Sequence, residues 1–512
     1  MERLYNNILL QDDFWGKPSD AQHIPYLENP PKIIDVSIGR QLFIDNFLIE
    51  ETDLQPYFHK AIKYEGNPIL FAQVPWEIEQ SPVAAPKSGG VWYDEEDHLF
   101  KMWYEGGWLR HMCYAVSRDG INWKRQDLGI VPKTNIILPY DGYSPEKYSS
   151  GLDYLRPDST TVFIDYDCPK EEKYKLFMRN PGETGPGIVA ISADGIHFHH
   201  FGYTSNVDDR STVFYNPFRK KWVYSIRSAF EQKGSASIRI RKYRECDDFL
   251  QGANWEPCDS HFWLQCDELD KPNPYIGESP QLYNVDCIGY ESIMLGMFQI
   301  HYGPNNRICE EHGVPKMTEL IPMYSRDGYH FSRPNRECIV NASMYRGAWD
   351  RGYVQSVGGV AIIHHDELWI YYAGFAGDEH FANQSWITNG IYRNGATGLV
   401  KIRRDGFISL HGNGSVLTRK MTFSQKTSFH INAKGSVWAE VLDECGNNLG
   451  KTNTFSGDST NAELRFEKLN VADLNDRVLR LRFYVQGDLY SFGFADKTGD
   501  FGGAHAAGCV ES

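Results

Sequence analysis

The chain has 512 residues and a formal net charge of −15, from 52 lysines and arginines against 67 aspartates and glutamates. That balance excludes broad binding to nucleic acid or to an anionic membrane surface. The length allows one large domain and a smaller one, and an aromatic content of 14% favours β-structure and sugar-like ligands, whose apolar faces stack on rings.

The first residues, "MERLYNNILLQDDFWGK", contain no apolar stretch of signal-peptide length. No run reaches the roughly 18 apolar residues that span a bilayer, so no membrane partner is expected. Ten cysteines are scattered without C-x-x-C pairs or histidines at zinc spacing. They read as reduced thiols of a cytoplasmic protein. His301 and the pair His364–His365 lack metal-like partners, so neither a metal nor a cofactor is expected.

From residue 79 onward one turn recurs. "SRDGINW" occupies Ser117–Trp123, "SADGIHF" Ser192–Phe198 and "SRDGYHF" Ser325–Phe331, with a looser "RRDGFISL" from Arg403. Its aspartates fall at 119, 194, 327 and 405, giving intervals of 75 (194 − 119), 133 (327 − 194) and 78 (405 − 327). The middle interval is about two units, and "RECDDFLQGANW", Arg244–Trp255, is the degenerate copy inside it. Two strand-like runs precede each turn and a third leads into it. In the first unit these are "GGVWYD", "LFKMWYEGG" and "HMCYAVS"; in the second "TTVFIDYD", "KYKLFMRN" and "GIVAISA". Asp-Gly signals a tight turn between strands. Five such four-stranded meanders predict an all-β, five-bladed β-propeller over residues 79–413. The turn should link the third and fourth strands of each blade, with its aromatic packed between blades. Residues 1–78 are expected to supply closing strands for the propeller. Residues 414–494 have short alternating strands without this grammar and predict a small C-terminal β-sandwich. The Gly/Ala-rich residues 495–512 are expected to be a flexible tail.

In a propeller the first strand of every blade lines a shared funnel. Aligned on their apolar cores, "RPDSTTVFID", "VDDRSTVFYN" and "IGESPQLYNVD" bring Asp158, Asp209 and Glu278 to equivalent positions on three successive blades. Converging carboxylates repel one another and shift one another's pKa, which suits acid/base chemistry.

These motifs resemble the five-bladed-propeller glycoside hydrolases of families 32 and 43. "ESPQLY", Glu278–Tyr283, is similar to the E-C-P-D-L-F motif carrying the general acid of family 32. "DSTTVFID" from Asp158 resembles the strand carrying its nucleophile, without that strand's Pro-Asn-Gly. "DRSTVFY" from Asp209 resembles the R-D-P strand carrying its transition-state stabiliser, with Arg210 after the aspartate rather than before it. "FIDNFLIE" near the start and "LYSFGF" near the end resemble a family-32-like bacterial group.

The resemblance implies a glycosidase. Glu278 would protonate the leaving oxygen, Asp158 would be nucleophile or base, and Asp209 would stabilise the oxocarbenium-like charge. Arg156, Arg210 and Arg351 beside the strand starts either bind substrate or neutralise the acids. Lys87 and Gln355 complete the ring, and Trp108, Trp349 and Tyr353 are candidate sugar platforms. The expected substrate is a furanoside or short oligosaccharide cleaved from its end. Two alternatives stand beside it. One is a phosphorylase of the family-130 kind, with Lys87 and the arginines holding the anion. The other is a non-catalytic sugar-binding propeller.

Overall fold

A computed structural model describes residues 1–11, 23–79, 81–139, 158–179, 185–230, 237–377 and 390–510. Among them no helix is long and apolar enough to cross a membrane. Five antiparallel units succeed one another and form a five-bladed propeller. The first runs outward from Ala84–Ala85 and Val91–Asp94 through Leu99–Gly106 and His111–Ser117 to Ile136–Leu138. The second comprises Asp158–Ile164, Tyr174–Arg179, Gly185–Ser192 and His199–Val207. The third comprises Thr212–Asn216, Lys221–Phe230, Ile238–Cys246 and His261–Leu264. The fourth has Gln281–Glu291, Ile293–Gly303 and Met317–Ser325, and the fifth Gly352–Gln355, Ile362–His364, Glu367–Phe375 and Gly395–Arg403.

The fourth unit also carries a helix, Asn306–His312, between its second and third strands. The strand-only pattern of the unit does not predict it. Its signals are local: the Asn305 side chain accepts the Ile308 N–H, and Gly313 ends the helix in the left-handed region.

The recurrent turn has one internal construction. Ser117 Oγ accepts the N–H groups of Asp119 and Gly120, and Asp119 Oδ1 accepts those of Ile121 and Asn122. Ser192 with Asp194, and Ser325 with Asp327, repeat it. Each of these turns then accepts a donor from the preceding blade. The Tyr371 hydroxyl reaches the Gly120 carbonyl at 2.9 Å, Trp103 Nε1 reaches Gly195 at 2.7 Å, and Trp263 Nε1 reaches Tyr329 at 2.8 Å. In the fifth blade the Tyr290 hydroxyl donates to Asp405. The aromatics of three turns pack on the preceding blade, as Trp123 does on Tyr371 and Phe331 on Trp263, at 6.1 and 5.6 Å between centroids. Phe407 packs on Tyr324. The degenerate copy keeps the Asp248 turn, but there Phe249 accepts from Tyr224 of its own blade.

A buried ion cluster ties the first blade to the second. Asp94, whose side chain is fully buried, accepts from Lys101 at 2.7 Å, Lys173 at 3.0 Å and the Tyr174 hydroxyl at 2.6 Å. Burial alone would raise its pKa; these donors overcome it and hold the carboxyl well below the usual carboxylate range.

The ring closes where Ile62 and Lys63 pair with Lys401 and Val400 of the fifth blade. Tyr64, Asn67, Ile69 and Leu70 continue along the same edge at Leu399 and Thr397. The strands before Ile62 go elsewhere, which corrects their expected role. Ile34–Asp35, Gln41–Leu42, Ile49–Thr52 and Gln55–Phe58 join Ile408–Thr418, Ser428–Asp443 and Leu479–Ala495. All the strands expected as a β-sandwich are thus hydrogen-bonded in one ten-stranded sheet, which encloses its own apolar core. "FIDNFLI" fits there because Phe43, Phe47 and Leu48 are buried in that core.

The expected flexible tail is also corrected. Ala504–His505 extends the fourth blade at Tyr290 and Glu291, and Cys509–Val510 pairs in parallel with Ile363 and His364 of the fifth. The small residues that suggested disorder permit close approach instead. A Cβ on Gly508, at φ +109, would lie 2.2 Å from the Tyr93 carbonyl oxygen.

Two outcomes follow from these contacts. Asp94→Asn removes the buried charge shared by Lys101 and Lys173, which keep Asp97 and Glu96 as partners, and should cost about 1–3 kcal/mol at neutral pH. An acid with a depressed folded pKa contributes stability above its unfolded value of about 4 and loses it as pH falls through the folded value. Denaturation across pH should therefore show parent and variant converging below about pH 4. Removing residues 496–512 should lower the melting temperature by at least several degrees, because two blades lose an edge strand; an unchanged melting curve would refute a stabilising role for these pairings.

Candidate active site

The starts of the inner strands are locally distorted. Lys87, Ser159, Arg210 and Tyr353 adopt φ of +39, +51, +59 and +49, in four different blades. The ladders slip beside Asp158, Leu282 and Gly352. Bulges and left-handed residues re-aim side chains that a regular strand would hold in the pleat. Asp158 is the first residue of its strand, whereas Asp209 and Glu278 each lie three residues before theirs.

The structure brings Lys87, Asp158 and Asp209 together. Arg179 Nη1 donates to Asp158 Oδ2 at 2.8 Å and lies 3.8 Å from Asp209 Oδ1. Lys87 Nζ lies 3.5 Å from Asp158 Oδ1 and 2.7 Å from Glu105 Oε2. Burial raises the Glu105 pKa against the pull of Lys87. Burial would raise Asp209 too, but Arg227, Arg179, Lys316 and Arg210 hold it below the usual carboxylate range. Asp209 is therefore ionised at neutral pH, and its side chain is 33% exposed.

Glu278 stands apart from this cluster. It is half-buried, and its Oε1 accepts the Asn305 N–H at 3.3 Å. No hydrogen bond or ion pair among the described residues joins it to Asp158, Arg179 or Asp209. Arg210 is buried one step further along the inner strands, where its Nη2 donates to Ser88 at 3.0 Å. Ser88, Asn284 and Ser356 all donate to Asp286, whose carboxyl burial raises. Gln355 is fully buried with neither amide atom hydrogen-bonded. Arg351 is half-buried at the start of its strand. Arg156 lies outside the described residues.

The expected sugar platforms are packed instead. Trp108 is 5% exposed, stacks on Tyr392 at 4.3 Å and holds the Lys87 ammonium 4.2 Å from its ring. Tyr353, 2% exposed, packs between Tyr283, Phe375 and Tyr392. Trp349 is half-buried against Tyr372 and the glycines at 374 and 398. An aromatic residue beside a sequence motif does not reveal that its faces are covered.

Several polar groups near the site do not lie on the aligned first strands, and among them His301 drew notice only for its lack of metal-like partners. Glu105, Arg179, Arg227 and His301 all end, or nearly end, the second strand of a blade. That strand runs antiparallel to the first, so its end meets the first strand's start; Asp158 pairs with Arg179 and Gln281 with His301. Aligning second strands as well as first would have found them. Lys316 is 4% exposed and lies among three phenol rings, with its Nζ 5.3, 5.2 and 5.1 Å from the centroids of Tyr283, Tyr353 and Tyr392. Tyr283 sits 2.9 Å from the Tyr353 hydroxyl and 3.4 Å from Lys316 Nζ, while Arg239 lies over its ring at 5.2 Å. Burial would raise the Tyr283 phenol, but Lys316 and Arg239 outweigh it and bring the pKa below the usual value. His301, stacked on Tyr283, is kept neutral by burial and by the same two cations. No group of three or more metal-ligating side chains occurs among the described residues.

No family model matches this chain, and no curated protein matches it. Solved structures similar to it include a fructofuranosidase from Schwanniomyces occidentalis complexed with fructosylnystose. There the identity is 10%, the TM-score 0.38, and coverage 85% of this chain and 98% of that one. A family 43 arabinoxylan arabinofuranohydrolase from Bacillus subtilis, in complex with cellotetraose, is 10% identical at a TM-score of 0.35, covering 81% and 96%. A family 117 glycoside hydrolase from Zobellia galactanivorans is 10% identical at a TM-score of 0.35, covering 72% and 91%. At this level of likeness, what the site can do follows from its own side chains.

The Tyr283 environment is testable by ultraviolet titration of the phenolate. A step below the ordinary tyrosine value of about 10 should be present in the parent and absent from Tyr283→Phe. Lys316→Met should move it upward. A step unaltered by both substitutions would mean another tyrosine carries it.

Proposed function

We propose that the protein is a glycoside hydrolase acting on the end of a short oligosaccharide or furanoside, with its chemistry in the propeller funnel. The observation that carries this reading is the Arg179 bridge. Two carboxylates from successive blades meet at one guanidinium, on strand starts distorted to present them. Holding two acids this close is costly, and a structural role would not need the distortion. In this reading Asp158 acts as nucleophile or as the base that activates water. Asp209, kept ionised by its cations, stabilises positive charge at the anomeric carbon. Glu278, on the neighbouring blade, donates the proton to the leaving oxygen.

Glu278→Gln keeps the shape but has no proton to give. It should lower kcat by roughly 10²–10⁴-fold on a substrate with a poor leaving group, with little change in binding. An activated aryl glycoside, which needs little protonation to depart, should lose much less. Asp158→Asn should abolish turnover of both. Normal turnover by either variant would overturn its assigned role, and binding without turnover by the parent would leave a sugar-binding propeller.

A further inference from the structure

We propose that Lys316 and Arg239 form an oxyanion subsite in the funnel, taking either the acid group of a sugar or free inorganic phosphate. The proposal rests on the funnel being the substrate site argued above. Three other cations here face carboxylates: Lys87 faces Glu105 and Asp158, Arg179 faces Asp158 and Asp209, and Arg227 lies 2.8 Å from Asp208. The buried Arg210 and Arg241 donate instead to Ser88 and to backbone carbonyls. Lys316 and Arg239 have no carboxylate within 4 Å among the described residues, although the chain as a whole carries −15. A buried cation without a counter-charge is expensive. Rings and a phenol hydroxyl offset that cost only in part.

A second observation points the same way. Arg239 Nη1 and His301 Nε2 are both buried without a hydrogen-bond partner, and His301 is 6% exposed overall. Both residues lie against Tyr283, as does Lys316. The Arg239 Nη1 donor is therefore unmatched, and the Lys316 ammonium has a phenol oxygen and rings around it but no carboxylate partner. A guanidinium offers paired donors that match the oxygens of a carboxylate or phosphate, and an ammonium adds a point charge. A neutral hydroxyl would leave both charges uncompensated, and a metal cation would be repelled. The third-exposed Asp209, on which Lys316 also acts, puts solvent at the edge of the cluster.

Calorimetric titration of the full chain at fixed ionic strength tests this with three probes: glucuronate, glucose and inorganic phosphate. At least one anion should bind about tenfold or more tighter than glucose, and that preference should vanish in Lys316→Met and in Arg239→Gln. Preference for glucuronate assigns an acidic sugar, and preference for phosphate assigns the free anion. If Lys316→Met does not fold, judged by circular dichroism, the half-buried Arg239→Gln decides. Anions binding no better than glucose, or equally well to the variants, would overturn the subsite. No turnover is needed for this readout. Anion binding by a parent that cleaves nothing would thus uphold the subsite while refuting the hydrolase, and cleavage without anion preference would do the reverse.

Discussion

The structure depends on a donor from one blade reaching the turn of the next. An Asp-Gly turn with its serine and aspartate satisfied internally still leaves a carbonyl pointing outward. In three blades an indole or phenol of the preceding blade takes it; in the fifth the acceptor is the turn aspartate itself. These groups are buried, so a missing partner would leave an unsatisfied polar atom in the core. Neighbouring blades are thereby fixed in angle and height as well as held together by apolar contact.

Fixed blades allow the strand starts to be strained. Lys87, Ser159, Arg210 and Tyr353 hold left-handed backbone conformations that each cost of order 1–3 kcal/mol. A scaffold with a continuous apolar core across its blades can carry that cost. The result is a dense set of opposed charges at one end of an acidic protein, where Asp209 stays ionised and Tyr283 acidifies because cations outnumber what they must neutralise locally.

The blade grammar was legible because turns and strand alternation are short-range signals, repeated often enough to average out exceptions. Lys87, Asp158 and Asp209 were legible for the same reason, as they lie at or just beside the aligned strand starts. Arg179 and Arg227 lie on its antiparallel partner, and only the pairing register relates the two. Arg239 lies in the third strand of one blade and Lys316 just before the third strand of the next, and no local pattern brings them to one phenol. Trp108 and Tyr353 show the opposite failure, because burial of a ring is decided by distant residues. The tail was misjudged since glycine and alanine serve loose chains and tight contacts equally.

The closure of the ring has a consequence for how the molecule assembles. Most blade contacts join residues near in sequence, whereas Lys63 pairs with Val400 and Cys509 with Ile363. Such distant pairings demand large loop closures and form slowly relative to local hairpins. Four or five finished meanders would then wait as an open arc, with unpaired edges on its first and last members. Open edges recruit strands from other chains. Crowded nascent chains would face a race between sealing their own ring and joining a neighbour's.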